Sequence, residues 1–155
     1  MELSVLVRKA TARELYSITS MTVKYFPYTG FSFAEITRRM QNPAIEYFVA
    51  LLDGHTAGFV DFELKQDCGQ ILGLAVLEEY RNFGIGQALL AKAIEQIKAA
   101  GKTRAELLVS QTNPIALHLY EKHGFYYSRA FSQMYAGQNV LVYEKQLQAT
   151  AEKKL

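Results

Sequence analysis

QILGLAV at 70–76 and RNFGIG at 81–86 are the two stretches of sequence that decide the fold of this chain. The first is a short apolar run between turn residues, which is typical of a buried strand. From Gln87 onward the apolar residues recur at helical spacing, on a face made of Leu89, Leu90, Ala93, Ile94 and Ile97. The two stretches therefore predict a strand, a glycine-rich loop and a helix that ends before Gly101.

The loop between this strand and this helix has the features of an anion site. Gly84 and Gly86 lack the side chains that would keep a phosphate away from the backbone. The first N–H groups of the helix have no partner within it and lie at the positive end of its dipole. We therefore expect the loop to bind a diphosphate. A lone Gly-x-Gly also occurs in tight turns that bind nothing, so the loop by itself leaves that alternative open.

The rest of the chain predicts a mixed α/β sheet. Further strands are expected at residues 3–9, 47–52, 57–65, 104–110, 125–131 and 140–146, with turns at 53–54 and 66–69. Further helices are expected after the capping-box patterns at 11–14 and 32–35, the second ending before residues 42–43, and from residues 113–114. The strand–helix–strand segment 70–110 predicts one parallel pair in a mostly antiparallel sheet with flanking helices.

Length and composition favour a single domain. We expect it to span residues 1–147 of the 155, followed by a polar tail at 148–155. A net charge of +2 gives no support for nucleic acid binding. No apolar stretch reaches the roughly 20 residues that span a bilayer, and the N-terminal segment lacks the apolar core of a signal peptide. A single cysteine, Cys68, and scattered histidines exclude a disulfide and a metal cluster, which favours a cytoplasmic, metal-free protein.

Two motifs resemble the GNAT superfamily of N-acetyltransferases. The pattern Arg81-x-x-Gly84-x-Gly86, after the strand that ends at Val76, resembles the acetyl-CoA loop of that superfamily. The stretch NPIALHLYEKHGF at 113–125 resembles its second motif, Asn-x-x-Ala-x-x-Leu-Tyr-x-x-x-Gly-Phe. The predicted order of strands and helices is also the one that the superfamily uses. The resemblance implies an acetyl-CoA-dependent enzyme that transfers acetyl directly to a primary amine.

The resemblance also implies which residues bind the coenzyme. The loop N–H groups would hold the pyrophosphate, the strand end would pair with the pantetheine arm, and Asn113 would contact that arm. The strands that end at Val76 and Ser110 would splay apart to admit it. Arg81 can contribute its side chain, its backbone or only a surface salt bridge. The implied set is Leu74, Ala75, Val76, Arg81, Asn82, Phe83, Gly84, Ile85, Gly86, Gln87, Asn113 and Tyr120.

The same resemblance implies that Tyr120 lies near the thioester sulfur. A phenol with a pKa of about 10 can protonate the leaving thiolate as a general acid. A backbone N–H within 74–76 would stabilise the negative charge that develops on the carbonyl oxygen. The alternative for Tyr120 is a tyrosine that only packs in the core.

The attacking amine must be neutral, so we also expect a base or a water relay. The chain most resembles the N-terminal acetyltransferases related to the ribosomal-protein enzymes, at Leu107-x-Val109, in the second motif and at Tyr135. Where many of those carry a Glu or a His, this chain has Leu108, which cannot accept a proton. Asp61 and Glu63 share one face of a predicted strand, so either can serve as the base, or both merely solvate that face.

Other residues have two interpretations each. The aromatic residues Tyr25, Phe26, Tyr28, Phe31 and Phe33 either line an acceptor pocket or pack on the sheet. Glu78 and Glu79 either favour a cationic acceptor or lie in a solvated turn, and Met134-Tyr135 lies in a loop that can reach the acceptor. Cys68 lies in a predicted turn without a nearby histidine, so we do not expect an acyl-carrying nucleophile there.

The sequence leaves the acceptor open between a protein N-terminus and a small amine such as an amino acid, a polyamine or an antibiotic. A rival from another class is a coenzyme A-binding sensor with little or no turnover. A phosphate loop of a different fold would need a lysine after the glycines, where this chain has Gln87. Edge strands near the C-terminus offer a surface for a homodimer, which nothing in the sequence requires.

Overall fold

The structure is a computed structural model that describes residues 4–131 and 139–147. Its strands are β1 (Val5–Lys9), β2 (Ile45–Leu52), β3 (His55–Leu64), β4 (Cys68–Val76), β5 (Arg104–Ser110), β6 (Tyr126–Ala130) and β7 (Val140–Gln146). Its α-helices are α1 (Leu15–Tyr25), α2 (Phe33–Gln41), α3 (Ile85–Ala99) and α4 (Pro114–Lys122). The predicted tail at 148–155 and the pair Met134-Tyr135 lie outside the described residues.

The seven strands form one sheet in the order β1-β2-β3-β4-β5-β7-β6. Neighbours are antiparallel in the β1–β2, β2–β3, β5–β7 and β6–β7 pairs, whereas β4 and β5 are parallel. The mixed, mostly antiparallel sheet with flanking helices is therefore confirmed, as is the parallel pair on either side of α3. The edge strands are β1 and β6.

Some element boundaries differ from the prediction. Helix α3 begins at Ile85 rather than at Gln87, because the Gly84 carbonyl already accepts the first helical hydrogen bond, from Ala88 N–H. The predicted turn at 66–69 is shorter, because β4 begins at Cys68, whose carbonyl accepts a hydrogen bond from Lys65 N–H at 2.8 Å. A short 3-10 turn, Ala12–Glu14, precedes α1 and carries the capping box that the sequence predicts.

The chain divides into two compact units, each of which has its own packing. The first unit comprises the residues up to Glu63 together with Leu72–Ala93, and the second comprises Leu64–Ile71 and the chain from Ile94 onward. In the core of the first unit, side chains of α1 and α2 pack against side chains of β2 and β3. The fully buried ones include Ile18, Ile36, Val49 and Phe59. On the other face of β3, Phe62 stacks on Phe48 at 6.2 Å. Both faces of β3 are therefore covered.

In the second unit, the close approach of α3 to β4 requires a glycine. A Cβ atom on Gly69 would overlap the buried side chain of Ile97.

Strand β5 buries apolar side chains on one face and Glu106 on the other. The Glu106 carboxylate pairs with Arg104 at 3.1 Å and with Arg129 at 3.5 Å. Helix α4 ends at Gly124, whose φ of 89° is left-handed, as the sequence predicts for a helix stop.

Candidate functional site

The loop that joins β4 to α3 presents a row of free backbone donors. Asn82 and Gly84 both have left-handed backbone conformations, with φ of 71° and 78°. Among the described residues, no N–H group from Asn82 to Gln87 donates a hydrogen bond to another part of the protein. Consecutive N–H groups in such a turn form a concave nest that binds anions, and here the nest continues into the first turn of α3.

Two residues, Ile85 and Arg81, hold this loop in place. Ile85 buries its side chain, so that only 2% of it is exposed, and thereby anchors the start of α3. Arg81 folds back onto the strand, because its Nε donates a hydrogen bond to the carbonyl oxygen of Val76 at 3.0 Å. Its guanidinium also lies over the ring of Tyr25, with the Arg81 Cζ atom 5.2 Å from the ring centroid. The Arg81 side chain is therefore engaged with the end of β4.

The end of β4 is the second predicted binding element. The ladder between β4 and β5 joins Cys68–Ile71 to Arg104–Leu107, and Leu72–Val76 follow after its end. Ala75 is buried, whereas Leu74 and Val76 are half-buried. On the β3 side, Gly58 allows a close approach, since a Cβ atom there would lie 3.3 Å from the Cα atom of Val76.

Asp61 is buried, with 3% of the residue exposed, so the interpretation in which it solvates an outer strand face is wrong. Arg39 of α2 donates a hydrogen bond from Nη2 to Asp61 Oδ2 at 2.6 Å, and Gly73 of β4 lies so close to the carboxylate that a Cβ atom there would be 2.6 Å from Oδ1. Arg39 also donates from Nε to the hydroxyl of Tyr47 at 2.9 Å. The carboxylate is thus held by three elements: α2, β3 and β4.

Burial raises the pKa of Asp61 to about 6, because a charged carboxylate is poorly solvated there, and Arg39 opposes this rise only in part. Burial likewise raises the pKa of the neighbouring Tyr47 hydroxyl. A carboxyl group with a pKa near the working pH can accept and release a proton. Glu63, two residues further along β3, is half-buried and its backbone pairs with Ile45.

Asp61 lies in the wall of a pocket that we call the aromatic pocket. Its rings come from the loop after α1 and from the sheet: Phe26, Tyr28, Phe31, Tyr47 and Phe59. Tyr47 stacks on Phe59 at 6.0 Å, and Phe26 meets Phe59 edge-on at 6.4 Å. Arg39 lies 4.9 Å from the Phe31 ring centroid. Of the other predicted aromatic residues, Phe33 is half exposed and Tyr25 packs against the core of the first unit.

Asn113 and Tyr120, the residues of the second motif, belong to the second unit. Asn113 caps α4, because its Oδ1 accepts a hydrogen bond from Ala116 N–H at 3.2 Å. Tyr120 lies on α4 with 7% of its surface exposed, and its ring meets Phe125 at 6.3 Å. The motif therefore has a structural basis of its own, in a helix cap and a buried aromatic pair.

Two other predictions concern residues outside this site. Cys68 lies in β4, not in a turn, and burial raises the pKa of its thiol, which disfavours a nucleophilic thiolate. Glu78 and Glu79 lie in a 3-10 turn, Glu78–Tyr80.

Among residues 4–131 and 139–147, no cluster of His, Cys, Asp and Glu can hold a metal ion. Within the same residues, every helix is too short or too polar to cross a membrane.

Sequence reasoning missed Arg39, Tyr47 and Gly73. Arg39 is 22 residues from Asp61 along the chain, and no local pattern links the two. One signal was present: Phe59, Val60 and Phe62 place apolar side chains on both faces of β3, which indicates a strand buried on both sides. An aspartate within such a strand requires a buried partner.

Comparisons with known proteins agree with this fold and with these motifs. The profile of the Acetyltransferase (GNAT) family matches residues 12–125. A protein of Bacillus subtilis, provisionally named a ribosomal protein bS18-alanine N-acetyltransferase, is 35% identical over 98 residues, which make up 63% of this chain and 64% of that protein. An N-alpha-acetyltransferase of Sulfurisphaera tokodaii is 35% identical over 105 residues, 58% of this chain and 62% of that protein.

Solved structures share the fold at lower identity. The ribosomal-protein-S18-alanine N-acetyltransferase of Escherichia coli superimposes with a TM-score of 0.82 at 20% identity, covering 98% of this chain and 99% of that one. The matches to the two curated relatives span less than two thirds of those proteins' lengths. The family match, in contrast, covers most of the chain and includes both the donor loop and the second motif. The chain belongs to the Acetyltransferase (GNAT) family.

Proposed function

We propose that this protein transfers an acetyl group from acetyl-CoA to a primary amine. The observation that carries this proposal is the row of N–H groups from Asn82 to Gln87 that donate to no other described residue. Such a row, ending in a helix N-terminus, matches the charge and size of a diphosphate. The names of the Bacillus subtilis and Sulfurisphaera tokodaii relatives, both N-acetyltransferases, support the same activity.

The residues of the first unit fit acetyl-CoA. The amides of Asn82, Phe83, Gly84, Ile85, Gly86 and Gln87 would bind the pyrophosphate, and the backbone of Leu74, Ala75 and Val76 would pair with the pantetheine arm. The end of the β4–β5 ladder at Ile71 supports the second assignment, since the strand residues that follow it lie beyond that ladder. We assign Arg81 a supporting role at the end of β4, where its side chain donates to the Val76 carbonyl and lies free to turn toward the diphosphate. Asn113 would contact the arm through its amide nitrogen, because its oxygen already caps α4.

Acetyl-CoA supplies the activated acetyl group and a thiol leaving group. A backbone N–H within Leu74–Val76 would donate a hydrogen bond to the carbonyl oxygen as that oxygen gains negative charge. Asp61 would take the proton from the amine, and Tyr120 would give a proton to the departing sulfur. Asp61 is favoured over Glu63 because it lies in the wall of the aromatic pocket and because its pKa is raised to about 6.

The acceptor in this proposal is an amine that enters the aromatic pocket, at the N-terminus of a protein or on a small molecule. The unpaired Cys68 is compatible with a reducing, cytoplasmic setting, which is part of the same proposal. The homodimer expected through a C-terminal edge strand would use β6, and the molar mass of the protein in solution tests it.

A thiol-release assay with acetyl-CoA tests the proposal. The acceptors should include peptides with different first residues alongside free amino acids and polyamines, and mass spectrometry should locate the acetyl group on the amine. We expect release of coenzyme A that depends on one class of amine. Binding of coenzyme A without release across the whole panel would instead favour the sensor, and no binding at all would contradict both functions.

A further inference from the structure

The hydroxyl group of Tyr25 is buried without a hydrogen-bond partner. Among the described residues that are not exposed, no other buried side-chain nitrogen or oxygen atom lacks one. Leaving such a group unpaired costs free energy, so this hydroxyl requires an explanation. A phenol can donate one hydrogen bond and also accept, so both capacities are unused here.

The ring of Tyr25 is firmly held. It packs against the core of the first unit, whose buried members include Ala75 of β4. Two cations lie near its faces, with Arg81 Cζ at 5.2 Å and Lys24 Nζ at 5.3 Å from the ring centroid. Packing against this core restricts the ring whether or not Arg81 stays in place, so the fold defines the position of the unpaired hydroxyl.

Tyr25 is connected to the coenzyme-binding end of β4 through Arg81. The guanidinium that lies over the Tyr25 ring also donates from Nε to the Val76 carbonyl oxygen at 3.0 Å. Val76 is the last residue of the strand that we assign to the pantetheine arm. The orphan hydroxyl therefore belongs to the cluster of side chains around the end of that strand.

We propose that Tyr25 is a coenzyme-positioning residue, whose hydroxyl donates a hydrogen bond to a carbonyl oxygen of bound acetyl-CoA, in the thioester or in the pantetheine arm. This inference rests on the proposed function. The arm is rich in carbonyl acceptors, and a hydrogen bond made away from water is stronger than one made in water. The unpaired hydroxyl is then a donor that the folded chain holds ready for the coenzyme.

Arg81, whose guanidinium lies over the Tyr25 ring, is the side chain that we propose to move when the coenzyme binds. Arg81 is exposed, and among the described residues it has no carboxylate partner. A guanidinium held only by a backbone carbonyl and an aromatic ring moves readily toward phosphate oxygens, which it binds with matching geometry. In this proposal, binding of the coenzyme draws the Arg81 side chain off Tyr25 and Val76.

Tyr25→Phe tests the proposal, because it removes only the hydroxyl. The matched control is Tyr16→Phe, in the same helix, where Tyr16 is 77% exposed. For both variants, we would measure the melting temperature with and without coenzyme A, the KM for acetyl-CoA, the KM for the amine and kcat. We expect Tyr25→Phe to melt at or above the wild-type temperature without ligand, and to raise the KM for acetyl-CoA about tenfold. Its stabilisation by coenzyme A should shrink, and Tyr16→Phe should match the wild type.

Other outcomes overturn the proposal. A Tyr25→Phe protein that melts lower or fails to fold, with an unchanged affinity for coenzyme A wherever it can be measured, would show that the free protein uses the hydroxyl. A rise in the KM for the amine alone would assign the hydroxyl to the acceptor. If coenzyme A does not stabilise the wild type, the proposed function itself is contradicted. If coenzyme A binds the wild type and Tyr25→Phe equally well, only the role of Tyr25 is contradicted.

Discussion

Arg39 and Asp61 form a buried ion pair in which Nη2 of the arginine lies 2.6 Å from Oδ2 of the aspartate. The pair joins α2 to β3, and the backbone of Gly73 in β4 lies directly against the carboxylate. Gly73 must lack a side chain here, since a Cβ atom would lie 2.6 Å from Asp61 Oδ1. The protein therefore holds a carboxylate of raised pKa at a defined place in the aromatic pocket, which is what a base in acetyl transfer requires.

The first prediction concerns the pH dependence of turnover. The Asp61 carboxyl has a pKa of about 6, so it is protonated below that pH and cannot accept a proton from the amine. We expect kcat at saturating acetyl-CoA and amine to fall below about pH 6. Asp61→Asn should lower kcat about 10²–10⁴-fold and remove this acid limb.

Two further measurements make the Asp61 test specific. Because Arg39 loses its partner in Asp61→Asn, the melting temperature and the affinity for coenzyme A must show that this variant is folded. The same pH profile on Glu63→Gln separates the two candidate carboxylates. Loss of the acid limb in Glu63→Gln, with the limb retained in Asp61→Asn, would assign the base to Glu63.

The second prediction concerns Tyr120. In the proposed function Tyr120 protonates the leaving sulfur, so removing its hydroxyl would remove that proton donor but no predicted contact with the coenzyme's diphosphate. We expect Tyr120→Phe to lower kcat about 10²–10⁴-fold while the dissociation constant of coenzyme A stays close to that of the wild type. Tyr127→Phe, at a tyrosine that is 55% exposed, serves as the control. An unchanged turnover number in Tyr120→Phe would remove this residue from the mechanism.

The third prediction uses two glycines with the same backbone conformation. Gly84 has a φ of 78° and Gly101 a φ of 82°, and a Cβ atom on either would meet no atom within 4 Å. Alanine at either position should therefore cost a similar roughly 1–2 kcal/mol of conformational strain. Only Gly84→Ala should also weaken coenzyme A binding, by about tenfold, in calorimetry. Equal coenzyme affinity in the two variants would contradict the role of the loop.

The fourth prediction concerns stability and pH. Glu14 is buried and its pKa is lowered to about 2, mainly by the hydrogen bonds from Arg8 at 2.8 and 3.1 Å. Because the folded-state pKa lies below the ordinary value of 4.5, the charged form stabilises the fold above pH 4.5, and this stabilisation is lost as the pH falls toward 2.

We expect Glu14→Gln to reduce the free energy of unfolding at pH 7 by about 1–3 kcal/mol, measured with urea. The difference from the wild type should shrink at pH 3. Glu35→Gln breaks an ion pair with Arg38 at the surface and should cost about 0.5 kcal/mol or less. A difference between Glu14→Gln and the wild type that does not change between pH 7 and pH 3 would contradict this account of Glu14.

Much of the fold follows from local patterns in the sequence. Each of several local patterns predicts an element directly: the apolar run before Val76, the helical spacing after Gly84 and the glycines at 101 and 124. The element order inferred from them is correct. Boundaries shift by one or two residues where a hydrogen bond decides them, as at the start of α3. The unpaired amides of the loop between β4 and α3 were also predictable, because they follow from glycines next to a helix N-terminus; that they bind a diphosphate stays a prediction.

The acceptor side was much less predictable. Asp61 alternates with apolar residues, a pattern that fits a solvated face as well as a buried one, and only the distant Arg39 decides between them. Burial of a single atom, such as the Tyr25 hydroxyl, depends on tertiary packing around the end of α1. The spacing of residues in the sequence does not predict it. Cys68 shows the same limit, because a shift of the strand boundary moved it from a turn into the core.

The central claim is that the amides from Asn82 to Gln87 bind the diphosphate of coenzyme A, and isothermal titration calorimetry tests it most directly. The wild-type protein should be titrated with coenzyme A and, separately, with pantetheine, which lacks the diphosphate and the 3'-phosphoadenosine joined to it, and with adenosine 3'-monophosphate as the control for the nucleoside part. We predict clear heat of binding for coenzyme A and an affinity for pantetheine that is weaker by about a hundredfold or more. No heat with coenzyme A at millimolar concentration, or equal affinity for coenzyme A and pantetheine, would contradict the claim.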